Sequence, residues 1–138
     1  LIHHLLKHIG NKGSILVWYK PFENSKLANL ARDFPEYADS ISEIQSRLVD
    51  LMGPFKAQHY YHPGFEGSAS IKNVLPVLVP ELSYANLEIQ DGNTASLVYS
   101  ELRDQEPEVQ AKQREGLLAY CLQDTLAMVR ILEVVSNN

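Results

Sequence analysis

The chain has 138 residues, 45% of them apolar, and a formal charge of −5 from 17 acidic and 12 basic residues. That apolar content can build one core, so a single domain over residues 1–138 is expected. The acidic balance excludes bulk attraction to a polyanion and leaves a local basic patch or metal ions to meet one.

A lone cysteine, Cys121, excludes an internal disulfide and a cysteine zinc cluster. It reads as a core residue in a reducing, cytoplasmic protein. No apolar run reaches the roughly 18 to 20 residues of a membrane-spanning helix. The first residues lack the pattern of a cleaved secretion signal, so a soluble chain with no membrane partner is expected.

The stretch "LIHHLLKHIGNKG" begins without Met, already inside an amphipathic pattern that sets Ile2, Leu5 and Ile9 on one side. It should stop at Gly10 to Gly13, where glycine suits the end of a helix. This opening reads as a fragment cut from a longer protein. "SILVWY" (14–19) is an apolar run long enough for a buried strand and too short for a helix. Helical periods follow over "ENSKLANLARDF" (23–34), ended by Pro35, and over "EYADSISEIQSRL" (36–48).

"RLVDLMGPF" (47–55) fits either a short strand or a helical turn, and "KAQHYYHPGFEG" (56–67) reads as an irregular aromatic loop. In "SASIKNVLPVLVP" (68–80), Ser68 or Ser70 offers an N-cap for a short helix, with Pro76 and Pro80 as terminators. A helix is predicted from about Thr94 to Asp104, and Pro107 opens a long last helix running to about Val135. The sum is a helix-rich α/β domain with an incomplete sheet.

Tyr120 and Asp124 are spaced i, i+4 on the last helix and project from one face. Asp124 either is solvated or bonds a neighbouring backbone, or it holds a cation. The surrounding Leu117, Leu118, Cys121, Leu122, Leu126, Met128 and Val129 favour the second reading, because a lone buried carboxylate is costly without a cation or donors. Glu23 follows the strand at the start of a helix, where α/β pockets form and where the helix dipole alone also favours an acid. Asp50 reads as structural. The pairs His4/His8 and His59/His62 lack a cysteine or acidic partner, so they read as surface or loop histidines rather than zinc ligands. Tyr60, Tyr61 and Phe65 either cover the core or stack bases.

The succession of a strand, "FE" and a helix, then "RLVDL", "GSASIKNVLP" and "YCLQDTLAMV", resembles the C-terminal part of the bacterial family called domain of unknown function 2779, over essentially the whole chain. That family is in turn similar to the DEDD-type 3'-to-5' exonucleases of the ribonuclease H-like superfold. The resemblance implies the C-terminal part of such a fold with the first strands missing. It also implies part of a metal-dependent nuclease that uses Mg2+ or Mn2+ and acts on DNA or RNA. In those enzymes carboxylates hold two metals, one activating water and the other stabilising the leaving oxygen.

Carried over by motif, Asp124 is a metal ligand and Tyr120 orients the attacking water. Glu23 stands at the acidic position of the second motif, where Phe22 is kept, Asp is replaced by Glu, and Tyr19 takes the Asn position. The first motif, Asp-x-Glu on an opening strand, has no match, so this piece is expected to be inactive alone. Lys72 in "SIKNVLP" is either a phosphate contact beside the substrate channel or a solvated helix lysine. A non-catalytic ribonuclease H-like binding or scaffolding module, set beside another nuclease domain in the same parent chain, is the alternative.

Overall fold

The computed structural model describes residues 2–137, so Leu1, the first residue of the predicted opening helix, lies outside the described residues. The chain divides into two compact units, Leu1–His62 and Pro63–Asn138. In the first, α1 (Ile2–Ile9) ends at Gly10, and Gly10 and Gly13 adopt φ of 65° and 83°. Side chains with a Cβ rarely take that left-handed backbone, so both turn positions call for glycine.

The chain then enters β1 (Ile15–Val17), α2 (Lys20–Asp33), a single 3-10 turn at Pro35–Tyr37, α3 (Ala38–Ser46), β2 (Leu48–Asp50) and the short α4 (Gly53–Lys56). β1 and β2 pair in parallel with Ile15 opposite Leu48 and Val17 opposite Asp50. Parallel neighbours need a crossover of a dozen or more residues, and α2 with α3 supplies it. Val17, Leu27, Ile41, Ile44 and Leu48 form the core of this unit, with Leu5, Leu6 and Ile9 of α1 packed against it.

Two side chains lock its turns. The Arg47 guanidinium, at the end of α3, donates to the carbonyls of Gly10, Lys12 and Gly13 at 2.7, 3.0 and 3.1 Å and pairs with Glu43 at 2.8 Å. Its side chain is only 14% exposed, so these carbonyls replace the water it would otherwise keep. Asp50, at the end of β2, accepts from the backbone N–H groups of Lys20 and Met52 at 3.3 and 3.0 Å. The segment "RLVDLMGPF" therefore holds both structures its pattern allows, a strand and then a helical turn.

The second unit contains a turn at Pro63–Phe65, α5 (Ile71–Leu78), a turn at Tyr84–Asn86, α6 (Gly92–Glu101), a turn at Leu102–Asp104 and α7 (Pro107–Ser136). Both α5 and α6 pack on α7. Phe65, Val74, Leu75, Val79, Ile89, Ala127 and Ile131 are its buried apolar residues.

Pro76 does not end α5 as predicted; it lies inside the helix, which continues to Leu78. Pro76 gives up the bond its N–H would make to the Lys72 carbonyl and crowds that carbonyl, a local cost in the first turns of a short helix that Val79–Pro80 close soon afterwards. Ser70 holds the N-cap position without a side-chain bond, while the Ser68 hydroxyl accepts from the Ser70 N–H at 3.1 Å. The architecture is helix-rich α/β with a small two-stranded parallel sheet. Among the described residues no helix is long and apolar enough to cross a membrane.

Candidate functional site

The last helix decides where Asp124 points. Along α7, Gln113, Leu117, Tyr120, Asp124, Ala127, Ile131 and Val134 recur at three- and four-residue steps, and all are buried or half-buried. This is the stripe a helix turns toward its neighbours. Asp124 therefore does lie on the inward face, with Tyr120 one turn before it.

Of the leucines expected to enclose Asp124, Leu117 shares its stripe and the others lie elsewhere. Leu118, Leu122 and Val129 are exposed, as are Leu126 and Cys121, which corrects the reading of Cys121 as a core residue. α7 is apolar on both faces, and its inward stripe is buried through Ala127 and Ile131 instead. With Tyr99 and Leu102, the outward Leu118 and Cys121 line an open groove of about 500 Å3.

The Asp124 carboxylate is met by Tyr84, whose hydroxyl donates to Oδ1 at 2.9 Å. Nothing in "ELSYANL" marked this tyrosine, because the contact joins residues forty positions apart. Its turn is itself pinned: Ser83 Oγ accepts from the Ala85 N–H, and Gln90 donates to the carbonyls of Ala85 and Leu87, each at 3.1 Å. The Tyr84 and Tyr120 rings lie 6.1 Å apart at 46°. Burial, and then the hydrogen bond to Asp124, push the Tyr84 hydroxyl well above its ordinary pKa. The Tyr120 hydroxyl is also pushed up, first by burial and then by the Asp124 charge. Of the two hydroxyls, that of Tyr84 is the donor to Asp124.

Asp91 completes the surroundings. It is the N-cap of α6, where Oδ1 accepts from the N–H groups of Asn93 and Thr94 at 2.9 and 3.0 Å and Oδ2 from the Thr94 hydroxyl at 2.7 Å. The Thr94 bonds foremost, and more weakly the Lys72 charge, hold its carboxyl below the ordinary value. Lys72, Tyr84, Gln90 and Asp91 line one groove of about 340 Å3, so Lys72 shares a surface with the tyrosine that holds Asp124. Lys72 itself is exposed on α5.

The second unit thus brings together Tyr120, Asp124 and, through Tyr84, Lys72. Glu23 belongs to the first unit, in the first turn of α2, half-buried with one carboxylate oxygen out of contact with solvent. Asp50 is occupied in capping, as its structural reading expects. In α1 His8 Nδ1 lies 2.7 Å from the carbonyl of His4, and His59 and His62 are exposed. Phe65 is buried, whereas Tyr61 is 60% exposed.

Asp124 suits one place in a divalent-cation site: it is a half-buried oxygen donor that, among the described residues, has no ion-pair partner. It does not make such a site by itself. Among the described residues no group of three or more histidine, cysteine, aspartate or glutamate side chains could hold a metal ion.

The family model for Domain of unknown function (DUF2779) matches residues 1–70. The chain belongs to this family. No curated protein and no solved structure matches the chain. The DUF2779 match contains Glu23 and Asp50 and ends before Lys72, Tyr120 and Asp124. It is therefore shorter than the resemblance in the motifs, which reaches through "YCLQDTLAMV".

Proposed function

We propose that this chain is part of a metal-dependent nuclease that hydrolyses phosphodiester bonds in the manner of 3'-to-5' exonucleases. On this reading it is the C-terminal part of a ribonuclease H-like fold. The parallel β1–β2 pair with its helical crossover supports that fold. The observation that carries the activity is Asp124, a half-buried carboxylate on the inward face of α7, anchored by a neutral hydroxyl and without an ion-pair partner among the described residues. The Tyr84 hydroxyl offsets part of the cost of half-burying this charge, and a bound cation would offset more.

On this reading Asp124 in the second unit and Glu23 in the first, each taken by itself, would be metal ligands, and Mg2+ or Mn2+ would supply an activated water and stabilise the leaving oxygen when bound. Tyr120, kept protonated by burial and by the Asp124 charge, would orient the attacking water by donating from its hydroxyl. Lys72, exposed beside the groove, would neutralise a backbone phosphate of DNA or RNA. Two carboxylates are too few for a two-metal centre, so the reading requires further donors from outside this chain.

The test is Mn2+ titration by calorimetry on a protein extended by about 100 residues, an ordinary domain's length. Wild type is expected to bind and to degrade nucleic acid, and Asp124→Asn to lose both. Full activity in Asp124→Asn would overturn the reading. A second reading, a non-catalytic binding or scaffolding module, is favoured by the altered second motif, with Tyr19 and Glu23, and by the charge of −5. No Mn2+ binding in either protein would select it.

A further inference from the structure

We propose that the outward face of α7 pairs two copies of this chain, antiparallel, about a two-fold axis level with Gln123 and Asp124. This face lies away from the inward stripe that holds the Asp124 carboxylate, and the pairing does not rest on the nuclease reading.

Leu118, Leu122 and Val129 are 63%, 70% and 47% exposed. With the exposed Thr125 they recur at steps of four, three and four residues, the spacing of a seam between two helices. The groove between α6 and α7 carries the apolar surface on from Leu118 to Tyr99, which is 72% exposed. A continuous apolar patch of this kind marks an interaction surface.

The order of residues along the stripe makes it complementary to itself. In an antiparallel pair each layer joins one position to its counterpart running the other way, and the two-fold axis repeats every contact. With Leu122 set against Thr125 of the second copy, Leu118 meets Val129 of the second copy, and both layers occur twice. The Thr125 hydroxyl already donates to the Cys121 carbonyl at 2.9 Å, so it brings no unpaired polar group into the seam.

The same register sets Lys112 beside Glu133 of the second copy at each end. Their partners within the chain, Glu88 at 3.1 Å and Arg130 at 2.7 Å, lie on the surface and leave room for a second contact. A parallel pair would lack this ion pair, because Lys112 and Glu133 stand about 32 Å apart along α7. Charge therefore selects the antiparallel arrangement. One helix pair is a small interface, so association is weak, and unfolding at low protein concentration reads the single chain.

Sedimentation equilibrium on the 138-residue chain, run from low to high concentration, tests the pairing. Wild type should pass from the mass of one chain to that of two. Leu122→Glu puts a carboxylate at the centre of the seam and should stay at the mass of one chain, with its helical circular dichroism unchanged. Lys112→Glu and Glu133→Lys each set like charges together at both ends. Each should associate about tenfold more weakly, two exposed pairs being changed at once. Mixed in equal amounts, the two variants face each other with opposite charges at both ends, and association should return, which a misfolded variant would not show. Wild type at the mass of one chain throughout would overturn the pairing and leave the face to a different partner. So would a dimer indifferent to Leu122→Glu, or charge variants that associate no better mixed than apart.

Discussion

Asp50 Oδ2 accepts a hydrogen bond from the backbone N–H of Lys20 at 3.3 Å, so the end of β2 caps the helix that follows β1. The first N–H groups of a helix have no partner within it, and Tyr19 at the N-cap offers no side-chain bond. Asp50→Ala should cost about 1 kcal/mol, the usual loss for a removed cap, and Asp50→Asn less. Trp18, the single tryptophan, stacks on Phe55 at 5.6 Å in the same unit, so its fluorescence in a urea titration reads this loss.

In the second unit Asp91 caps α6 within its own loop. Its carboxyl is held below the ordinary 3.8, so the charged form stabilises the folded state. That contribution is complete above about pH 3.8 and is lost as pH falls through the lowered value. Asp91→Ala should lower the thermal midpoint at pH 7 and show a shallower decline than wild type when the scan is repeated toward pH 2. Parallel acid limbs in the two proteins would count against it.

The tyrosines act at the other end of the scale. Tyr84 and Tyr120 are raised above their ordinary 10.0, so above that pH the unfolded chain releases protons that the folded chain keeps. Stability should therefore be flat up to about pH 10 and fall as pH rises further. Tyr84→Phe should flatten that fall, as read from urea midpoints between pH 8 and 11.

The two faces of α7 give a further contrast. Ile131 is fully buried, and Ile131→Ala should cost about 2–5 kcal/mol. Leu122 is 70% exposed, and Leu122→Gln should stay within about 0.5 kcal/mol of wild type. Urea unfolding followed by circular dichroism compares them, and equal losses would mean that the inward stripe has been misassigned.

That contrast also explains what the sequence hid. Helix ends were legible where a residue type dictates them, as at Gly10, at Pro35 and at Pro107, which opens α7. β1 emerged from its apolar run, while the three residues of β2 were too short to separate strand from helix. On α7, leucines lie on both sides of the helix, and no periodicity says which stripe has neighbours; Cys121 was misplaced for that reason. That Asp124 and Tyr120 share a face was readable from their spacing, whereas which face has neighbours was not. Neither was Tyr84, because only the folded chain brings it to Asp124.

The carbonyls gathered by Arg47 give the turn around Lys12 an unusual dependence. Its shape is imposed from α3, so this surface loop should resist trypsin while α3 is formed and open when Arg47 lets go. Cleavage after Lys12 then becomes a clock for the loosening of the first unit, and Arg47→Met would make it run fast even where the core remains closed.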